Sequence, residues 1–136
     1  MNSFEIQNGT RVLGIGVDIV ETARIDSSIQ RFGERFLKRV FTGGERQYCN
    51  AMPYPARHYA ARFAAKEAIS KAFGTGIGAQ LGWQDIEIRR KDSGEPFIVL
   101  HGKGQTLLTE RGGRMVHLSL SHTAVHATAI AILESA

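Results

Sequence analysis

With 136 residues, the chain has the length of one domain, and we expect residues 1–136 to form a single unit. Its composition, 43% hydrophobic and 22% charged residues, excludes a disordered or fibrous protein, and no window of about 18 apolar residues predicts a membrane span. The formal charge of +4 favours an acidic partner or a phosphate-bearing ligand without choosing between them.

Residues 1–10 are polar and aperiodic, and we expect them to form a loose N-terminal extension. They lack the basic start and the apolar run of a secretory leader. Cys49 is the only cysteine, so an internal disulfide is excluded and a reducing compartment is favoured. These features together indicate a cytoplasmic protein.

A near-continuous apolar run over residues 12–20 predicts a buried strand. Gly14 and Gly16 interrupt the run, which indicates that another part of the chain approaches the backbone closely there. Asp18 lies within the same run. A carboxylate is costly to bury unless it is paired, hydrogen-bonded or bound to a metal, so Asp18 is a candidate site residue.

Residues 22–40 have helical periodicity, and Gly33 is the expected break between two pieces. The predicted apolar stripe consists of Ile25, Ile29, Phe32, Phe36, Leu37 and Val40. A basic face beside it consists of Arg24, Arg31, Arg35, Lys38 and Arg39. Thr42 and Glu45 form a predicted capping box that opens a short helix over residues 45–51.

A long helix is predicted over residues 56–73, because alanines recur along it and Pro55 suits its first turn. The alanines would also let another backbone come close. The predicted buried face consists of Phe63, Ala64, Ala68, Ile69, Ala72 and Phe73. Gly74 is placed to end the helix, and two further glycines follow at positions 76 and 78.

The rest of the chain alternates apolar and polar residues in short segments. Residues 85–90 predict a strand with one solvent-exposed face, and residues 96–100 predict the strand that returns after a hairpin turn. A short helix over residues 103–110 precedes two strands, 116–121 and 125–133. This order predicts an α+β fold, with an antiparallel-rich sheet, a long central helix and shorter helices packed on one side.

Asp18 and Glu67 are carboxylates on two different elements near a glycine-rich turn. Magnesium takes one or two protein carboxylates and leaves its other positions to water and phosphate oxygens, so this pair is a candidate Mg²⁺ site. The alternatives are structural: an ion pair between Glu67 and Lys71, and a paired or capping role for Asp18. Lys71 itself is either a phosphate ligand or a solvated lysine.

The glycines at positions 74, 76 and 78 follow a helix, whereas dinucleotide-binding folds place such glycines before one. They also lack the Lys-Ser/Thr ending of a P-loop. The segment either stops the helix or lets a nucleotide lie close to the backbone. For His122, in a turn between two strands, phosphate contact, proton transfer and a plain loop position remain open.

Two segments, GVDIVE at residues 16–21 and RFAAKEAISKAFGTG at residues 62–76, resemble the motifs of the holo-[acyl-carrier-protein] synthases, the short class of 4′-phosphopantetheinyl transferases. The similarity continues through DIEIRR, GEP and LSLSHT, and covers about residues 12–134. Two ordered motifs at this separation make a specific match. The family's paired lysines and acid fall on Lys66, Lys71 and Glu67, and its metal-binding aspartate falls on Asp18.

The resemblance implies Mg²⁺-dependent transfer of the 4′-phosphopantetheine group from coenzyme A to a serine of apo acyl carrier protein, in fatty acid biosynthesis. The second product is adenosine 3′,5′-bisphosphate. The implied catalytic residues are Asp18, Glu67 and Lys71, of which the two carboxylates would hold Mg²⁺. The implied coenzyme A ligands are Arg62, Lys71, Gly74, Thr75, Gly76 and His122, the last as a 3′-phosphate ligand or a proton-transfer group.

Members of this family look like trimers with sites between subunits, so the resemblance implies a homotrimer. It also implies that Arg24, Arg31 and Arg35 contact the acidic carrier protein, and a solvated helix face is the alternative for Arg31 and Arg35. A competing interpretation, a small basic nucleic-acid-binding module, lacks an RNP-like aromatic strand or a zinc finger. A non-enzymatic oligomeric scaffold is the third hypothesis.

Overall fold

The computed structural model describes residues 11–136, and the predicted N-terminal extension at residues 1–10 lies outside them. The strands are β1 (Val12–Glu21), β2 (Ile86–Arg90), β3 (Pro96–Leu100), β4 (Gly113–His122) and β5 (His126–Ser135). The helices are α1 (Thr22–Phe32), α2 (Glu34–Val40), α3 (Gly43–Asn50), α4 (Pro55–Ala72) and α5 (Lys103–Glu110), and a 3₁₀ turn spans Trp83–Asp85. Among the described helices, none has the length and apolar character needed to cross a bilayer.

The five described strands form two antiparallel sheets. The larger has the order β1-β5-β4, and the hairpin β2-β3 forms the smaller. Helix α4 packs on the larger sheet, against β1 and β5 most extensively and against β4 to a lesser extent. The predicted α+β fold with a long central helix is therefore confirmed.

The contact between β1 and α4 depends on two glycines. A Cβ atom on Gly16 would lie 1.8 Å from the carbonyl oxygen of Ala68, and one on Gly14 would lie 1.9 Å from that of Ala72. Only a glycine leaves room for backbone at that separation. The predicted close approach is confirmed, and the approaching element is α4. Because side chains alternate along a strand, Asp18 is presented to α4 as well.

The prediction of a buried strand is wrong for the face of β1 opposite α4, because nothing in the described chain covers the apolar side chains there. Leu13, Ile15, Val17 and Ile19 are between 43% and 67% exposed. Ile130 of the adjacent strand β5 is also exposed, and it extends the same apolar surface. We call these five residues the apolar sheet face. A contiguous apolar surface on a small domain is typical of an interaction site.

Helix α4 is buried on more than the predicted face. Phe63, assigned to that face, is only partly buried, while Arg62, Lys66 and Ser70 are almost fully enclosed. The reason is that α4 packs against the sheet on one side and against α3 and β2 on another. Its alanines allow close packing in both directions.

Two further sequence-based expectations fail for local reasons. Phe32 is 46% exposed instead of joining the apolar stripe, because Gly33 adopts a φ of 55° and breaks the helix directly after it. Glu87 is 7% exposed instead of lining a solvent-exposed strand face. Its Oε1 atom accepts hydrogen bonds from Arg89 at 3.1 Å and His101 at 2.8 Å, which compensate its burial.

Candidate functional site

Asp18 and Lys71 meet where β1 crosses α4. The Nζ atom of Lys71 lies 3.1 Å from Oδ1 of Asp18 and also donates to the carbonyl oxygen of Val17 at 3.0 Å. The Asp18 side chain is 16% exposed, whereas that of Lys71 is half exposed. The alternative in which Lys71 forms its ion pair with Glu67 is therefore wrong, because the lysine reaches across to the strand.

Glu67 lies within electrostatic reach of the same pair. Burial raises the pKa of the Glu67 carboxyl above its usual value, and the negative charge of Asp18 raises it further. The positive charges of Lys71 and Arg24 oppose this shift without cancelling it. Two carboxylates that repel each other beside partly exposed cations are an arrangement that a divalent cation would stabilise.

Two carboxylates, Asp18 and Glu67, are the candidate ligands for a cation. Within residues 11–136, no group of three or more histidine, cysteine, aspartate or glutamate side chains could hold a metal ion. Asp18 and Glu67 fall short of such a group, and both are hard oxygen donors. Such a pair suits a cation that keeps several waters or takes phosphate oxygens as its other ligands.

A glycine loop follows α4, one turn beyond Lys71. Gly74 and Gly76 adopt φ values of 79° and 65°, which favour glycine, and the backbone N–H groups of Thr75 and Gly76 donate to the carbonyl oxygen of Ser70. A Cβ atom at Gly76 or Gly78 would meet nothing within 4 Å. The loop therefore presents an open backbone surface at the end of the helix that carries Glu67 and Lys71.

A second group of predicted residues gathers at the other half of α4. The His122 ring, at the end of β4, lies 5.0 Å from the His58 ring, and His58 lies 5.9 Å from Tyr48. The Arg62 guanidinium stacks over the Tyr48 ring at 4.1 Å, and the Arg90 guanidinium lies 5.7 Å from the same ring. We call these five residues the basic cluster.

The basic cluster has more positive than negative charge, because Glu87, the acid that lines the same cavity, is already bonded to Arg89 and His101. Burial lowers the pKa of His122, and the positive charges of Arg90, Arg57 and Arg62 lower it further. Burial and the neighbouring His122 lower the pKa of His58 in the same way. The Nε atoms of Arg62 and Arg90 and Nδ1 of His58 are buried without a partner in the described chain. The positive charges around the partly exposed His122 are suited to binding an anion such as a phosphate at that edge of the cluster.

Sequence reasoning identified Arg62 and His122 but missed His58, Arg57 and Arg90. The available signal was weak: a basic pair at the start of α4 and another at the end of β2. Neither pair indicates that β4, α3 and β2 converge on one side of α4. That convergence follows from the topology of the sheets, which sequence periodicity does not specify.

The two groups lie on different sides of α4. Arg62 and Glu67 are five residues apart, so they are about 140° apart around the helix axis and about 7.5 Å apart along it. His122 and Asp18 lie on β4 and β1, which are separated by β5. One copy of the chain therefore does not bring all of the predicted site residues together.

The arginines predicted to contact a carrier protein lie on α1 and α2. Arg24 is close enough to Glu67 to affect the pKa of that carboxyl, so it lies near the group formed by Asp18, Glu67 and Lys71. Arg31 stacks over the Phe32 ring at 5.2 Å. Arg35 lines a groove between the two helices, which we call the docking groove and which consists of Ser28, Phe32, Arg35, Phe36 and Arg39. Two phenylalanines and two arginines are among the residues that line the groove.

Comparison with known proteins identifies the family. A model of the 4′-phosphopantetheinyl transferase superfamily matches residues 14–131. The holo-[acyl-carrier-protein] synthase of Koribacter versatilis is 50% identical over 123 residues, which cover 90% of this chain and 98% of that protein. The crystal structure of the Neisseria meningitidis holo-[acyl-carrier-protein] synthase has a TM-score of 0.85 at 33% identity and covers 90% of this chain and 98% of its own.

The Helicobacter pylori holo-[acyl-carrier-protein] synthase, solved in complex with coenzyme A, has a TM-score of 0.79 at 34% identity, with coverage of 88% of this chain and 98% of that one. The family model, the relative and the two solved structures indicate the same family over nearly the whole described length of the chain. The chain belongs to the 4′-phosphopantetheinyl transferase superfamily and, within it, to the holo-[acyl-carrier-protein] synthases.

Proposed function

We propose that the chain, as one domain, transfers the 4′-phosphopantetheine group of coenzyme A to a serine hydroxyl of apo acyl carrier protein. The reaction depends on Mg²⁺, releases adenosine 3′,5′-bisphosphate and serves fatty acid biosynthesis in the cytoplasm. The observation that carries this proposal is the pair of carboxylates, Asp18 and Glu67, beside Lys71 and the open glycine loop. Membership of the family supports the two substrates.

Each of the site residues would have a separate role in the reaction. Asp18 and Glu67 would hold Mg²⁺, and the bound cation would neutralise charge on the pyrophosphate. Lys71, half exposed and already directed at this point, donates to a phosphate oxygen. The serine oxygen forms a bond to the phosphorus that carries the pantetheine, and the bond from that phosphorus to the leaving nucleotide phosphate breaks. Positioning and charge neutralisation suffice for such a transfer.

The serine proton needs an acceptor. We propose that Glu67 takes it through a water molecule, because Glu67 is a partly exposed carboxylate close to Asp18 and Lys71. The glycine loop at residues 74–76 lies against the nucleotide, since its backbone is open at Gly76 and the Thr75 hydroxyl bonds within the loop. The basic cluster binds the 3′-phosphate, with His122 as the partly exposed ligand and Arg62, which is 1% exposed, adding its positive charge from beneath.

A homotrimer would complete the site. Coenzyme A would contact Asp18 and Glu67 of one copy and the basic cluster of the next, since α4 separates these groups within one copy. The apolar sheet face supports this arrangement, because it is the surface that self-association would bury.

Placing a charge on the apolar sheet face tests the assembly. We expect Ile15→Glu to give a folded monomer without transfer activity, because Ile15 is 61% exposed and lies outside both residue groups. Light scattering and circular dichroism report assembly and folding, and the conservative variant Ile15→Val should remain assembled and active. A monomer that retains full activity would show that one copy contains a complete site.

The carrier protein would dock on α1 and α2. Carrier proteins of this type are acidic, and an acidic surface would match the two arginines that line the docking groove, Arg35 and Arg39. Arg24 borders both this surface and Glu67, so a carrier held there would present its serine to the metal-binding carboxylates.

Charge reversal at Arg24 is expected to raise the KM for the carrier by about tenfold or more, with a much smaller effect on the KM for coenzyme A. The effect should weaken as salt is added, because the interaction is electrostatic. Steady-state kinetics with each substrate varied in turn measure both constants, and Lys91→Glu on the β2–β3 hairpin is the control. Equal losses for both substrates would exclude a docking role.

Thermal melting with ligands distinguishes the proposed function from its rivals. Coenzyme A together with Mg²⁺ should raise the Tm, and the shift should grow with ligand concentration. A nucleic-acid-binding protein would instead respond to an oligonucleotide, with steep dependence on salt. A scaffold would respond to neither, and either of these outcomes would contradict the proposal.

A further inference from the structure

A lysine and a glutamate form a completely buried ion pair in the core. Nζ of Lys66 lies 2.7 Å from Oε1 of Glu45, and both side chains are 0% exposed. The ammonium group also donates to the carbonyl oxygen of Val40 at 2.7 Å and to that of Trp83 at 2.9 Å. All three of its protons are therefore used within the chain. Although Lys66 adjoins Glu67 in sequence, it has no proton left for a substrate.

The carboxylate of Glu45 is equally well bonded. Its Oε1 atom accepts from the backbone N–H of Thr42 at 2.8 Å, in the capping box of α3, and its Oε2 atom accepts from the backbone N–H of Ile88 at 2.7 Å. The two side chains thus join the end of α2, the start of α3, the middle of α4, the 3₁₀ turn and β2.

Stability alone does not account for this arrangement. The cost of removing two charges from water roughly offsets their mutual attraction, and an apolar pair of similar volume is often as stable. A fully bonded ion pair instead fixes a geometry, because each hydrogen bond requires its own distance and direction.

The joined elements are those that carry the two binding surfaces. Helix α2 carries Arg35 of the docking groove, α3 carries Tyr48, and β2 carries Arg90 of the basic cluster. The metal-binding group depends on a different contact, the glycine packing of β1 on α4. The pair therefore lies where it can control substrate binding independently of the reacting groups.

We propose that Lys66 and Glu45 are positioning residues, which hold the docking groove and the basic cluster in fixed orientation relative to α4. This inference rests on the proposed function. The pair acts on both substrates through the elements that it joins, and it does not touch either of them.

The double variant Glu45→Gln, Lys66→Met removes both charges together, so that neither is left buried alone. We expect the KM values for coenzyme A and for the carrier to rise at least about fivefold, while kcat stays within about twofold of the wild-type value. Kinetics are measured at a temperature where circular dichroism shows the variant to be folded. The matched control, Leu133→Ala, removes buried side-chain volume from β5, and its KM values should be unchanged while it is folded.

A purely structural role would lower the folded fraction, and with it the apparent kcat, without changing either KM; that result overturns the proposal. If the double variant does not fold, the variant Glu45→Asp tests the positioning role instead. This variant keeps the charge and withdraws the carboxylate by one methylene group. Raised KM values in Glu45→Asp support the positioning role, and unchanged values overturn it. If the wild-type protein showed no turnover, the proposed function itself would be overturned. Failure of the proposed function can therefore be distinguished from failure of the positioning role.

Discussion

Glu67→Gln is expected to reduce transfer by about a thousandfold or more while the protein remains folded, because loss of one anionic metal ligand removes several kcal/mol of charge stabilisation. Glutamine keeps the size and hydrogen-bonding reach of the side chain. The packing of α4 is therefore preserved, and only the charge that faces Asp18 is lost. The exposed Glu110 provides the control, and Glu110→Gln should be fully active.

Although Glu67→Gln lowers activity, we expect it to preserve or raise the stability of the fold. The pKa of Glu67 is raised in the folded state, by burial first and by Asp18 second, so the ionised carboxylate destabilises the fold at neutral pH. The stability linked to its protonation is present at low pH and is lost as the pH rises through its folded pKa. Glu67→Gln removes this penalty, so at neutral pH the variant should melt at or above the wild-type temperature.

Melting with Mg²⁺ separates the metal-binding role from a structural one. Mg²⁺ with coenzyme A should raise the Tm of the wild-type protein, and Glu67→Gln should lose most of that shift. An active variant, or one whose Tm still responds fully to Mg²⁺, would contradict the assignment of Glu67 as a metal ligand.

Gly16→Ala is expected to destabilise the protein by more than about 3 kcal/mol, at the upper end of the range for overpacking. The added Cβ atom would lie 1.8 Å from the carbonyl oxygen of Ala68 and 2.7 Å from the backbone nitrogen of Ala72. Both are helix backbone atoms, which cannot rotate away as a side chain would. Helix α4 must move off the sheet, and that movement would also carry Glu67 away from Asp18.

Urea unfolding followed by circular dichroism measures the change. Gly43→Ala is the matched control, because its nearest new neighbour would be the flexible end of Arg46 at 3.8 Å. Its stability should change by no more than about 0.5 kcal/mol. Equal stability of the Gly16→Ala variant and the wild type would mean that β1 and α4 are not in close contact in solution.

Local patterns explain why part of the site could be predicted. An aspartate in a β-branched apolar run and glycines at alternate positions are signals that do not depend on the rest of the chain. They indicated a close contact at β1 and a carboxylate beside it, and the structure supplies both. The capping box at Thr42 is likewise a local signal, and both of its hydrogen bonds form.

Other features depend on the three-dimensional arrangement. Lys66 and Lys71 belong to the same motif, yet one lies in the core with Glu45 and the other reaches Asp18 at the surface. Their different environments follow from which elements surround α4. The basic cluster is a similar case, since Tyr48 and Arg90 are distant in sequence from His122. Long-range pairing of strands brings them together, and sequence periodicity carries no information about it.

The most direct test of the proposed function is the mass of the carrier protein after incubation with the enzyme, coenzyme A and Mg²⁺. The proposal predicts that apo carrier gains the mass of one phosphopantetheine group, that a serine bears it, and that chelation of Mg²⁺ or Glu67→Gln prevents the gain. An apo carrier of unchanged mass in the presence of folded wild-type enzyme, coenzyme A and Mg²⁺ would contradict it.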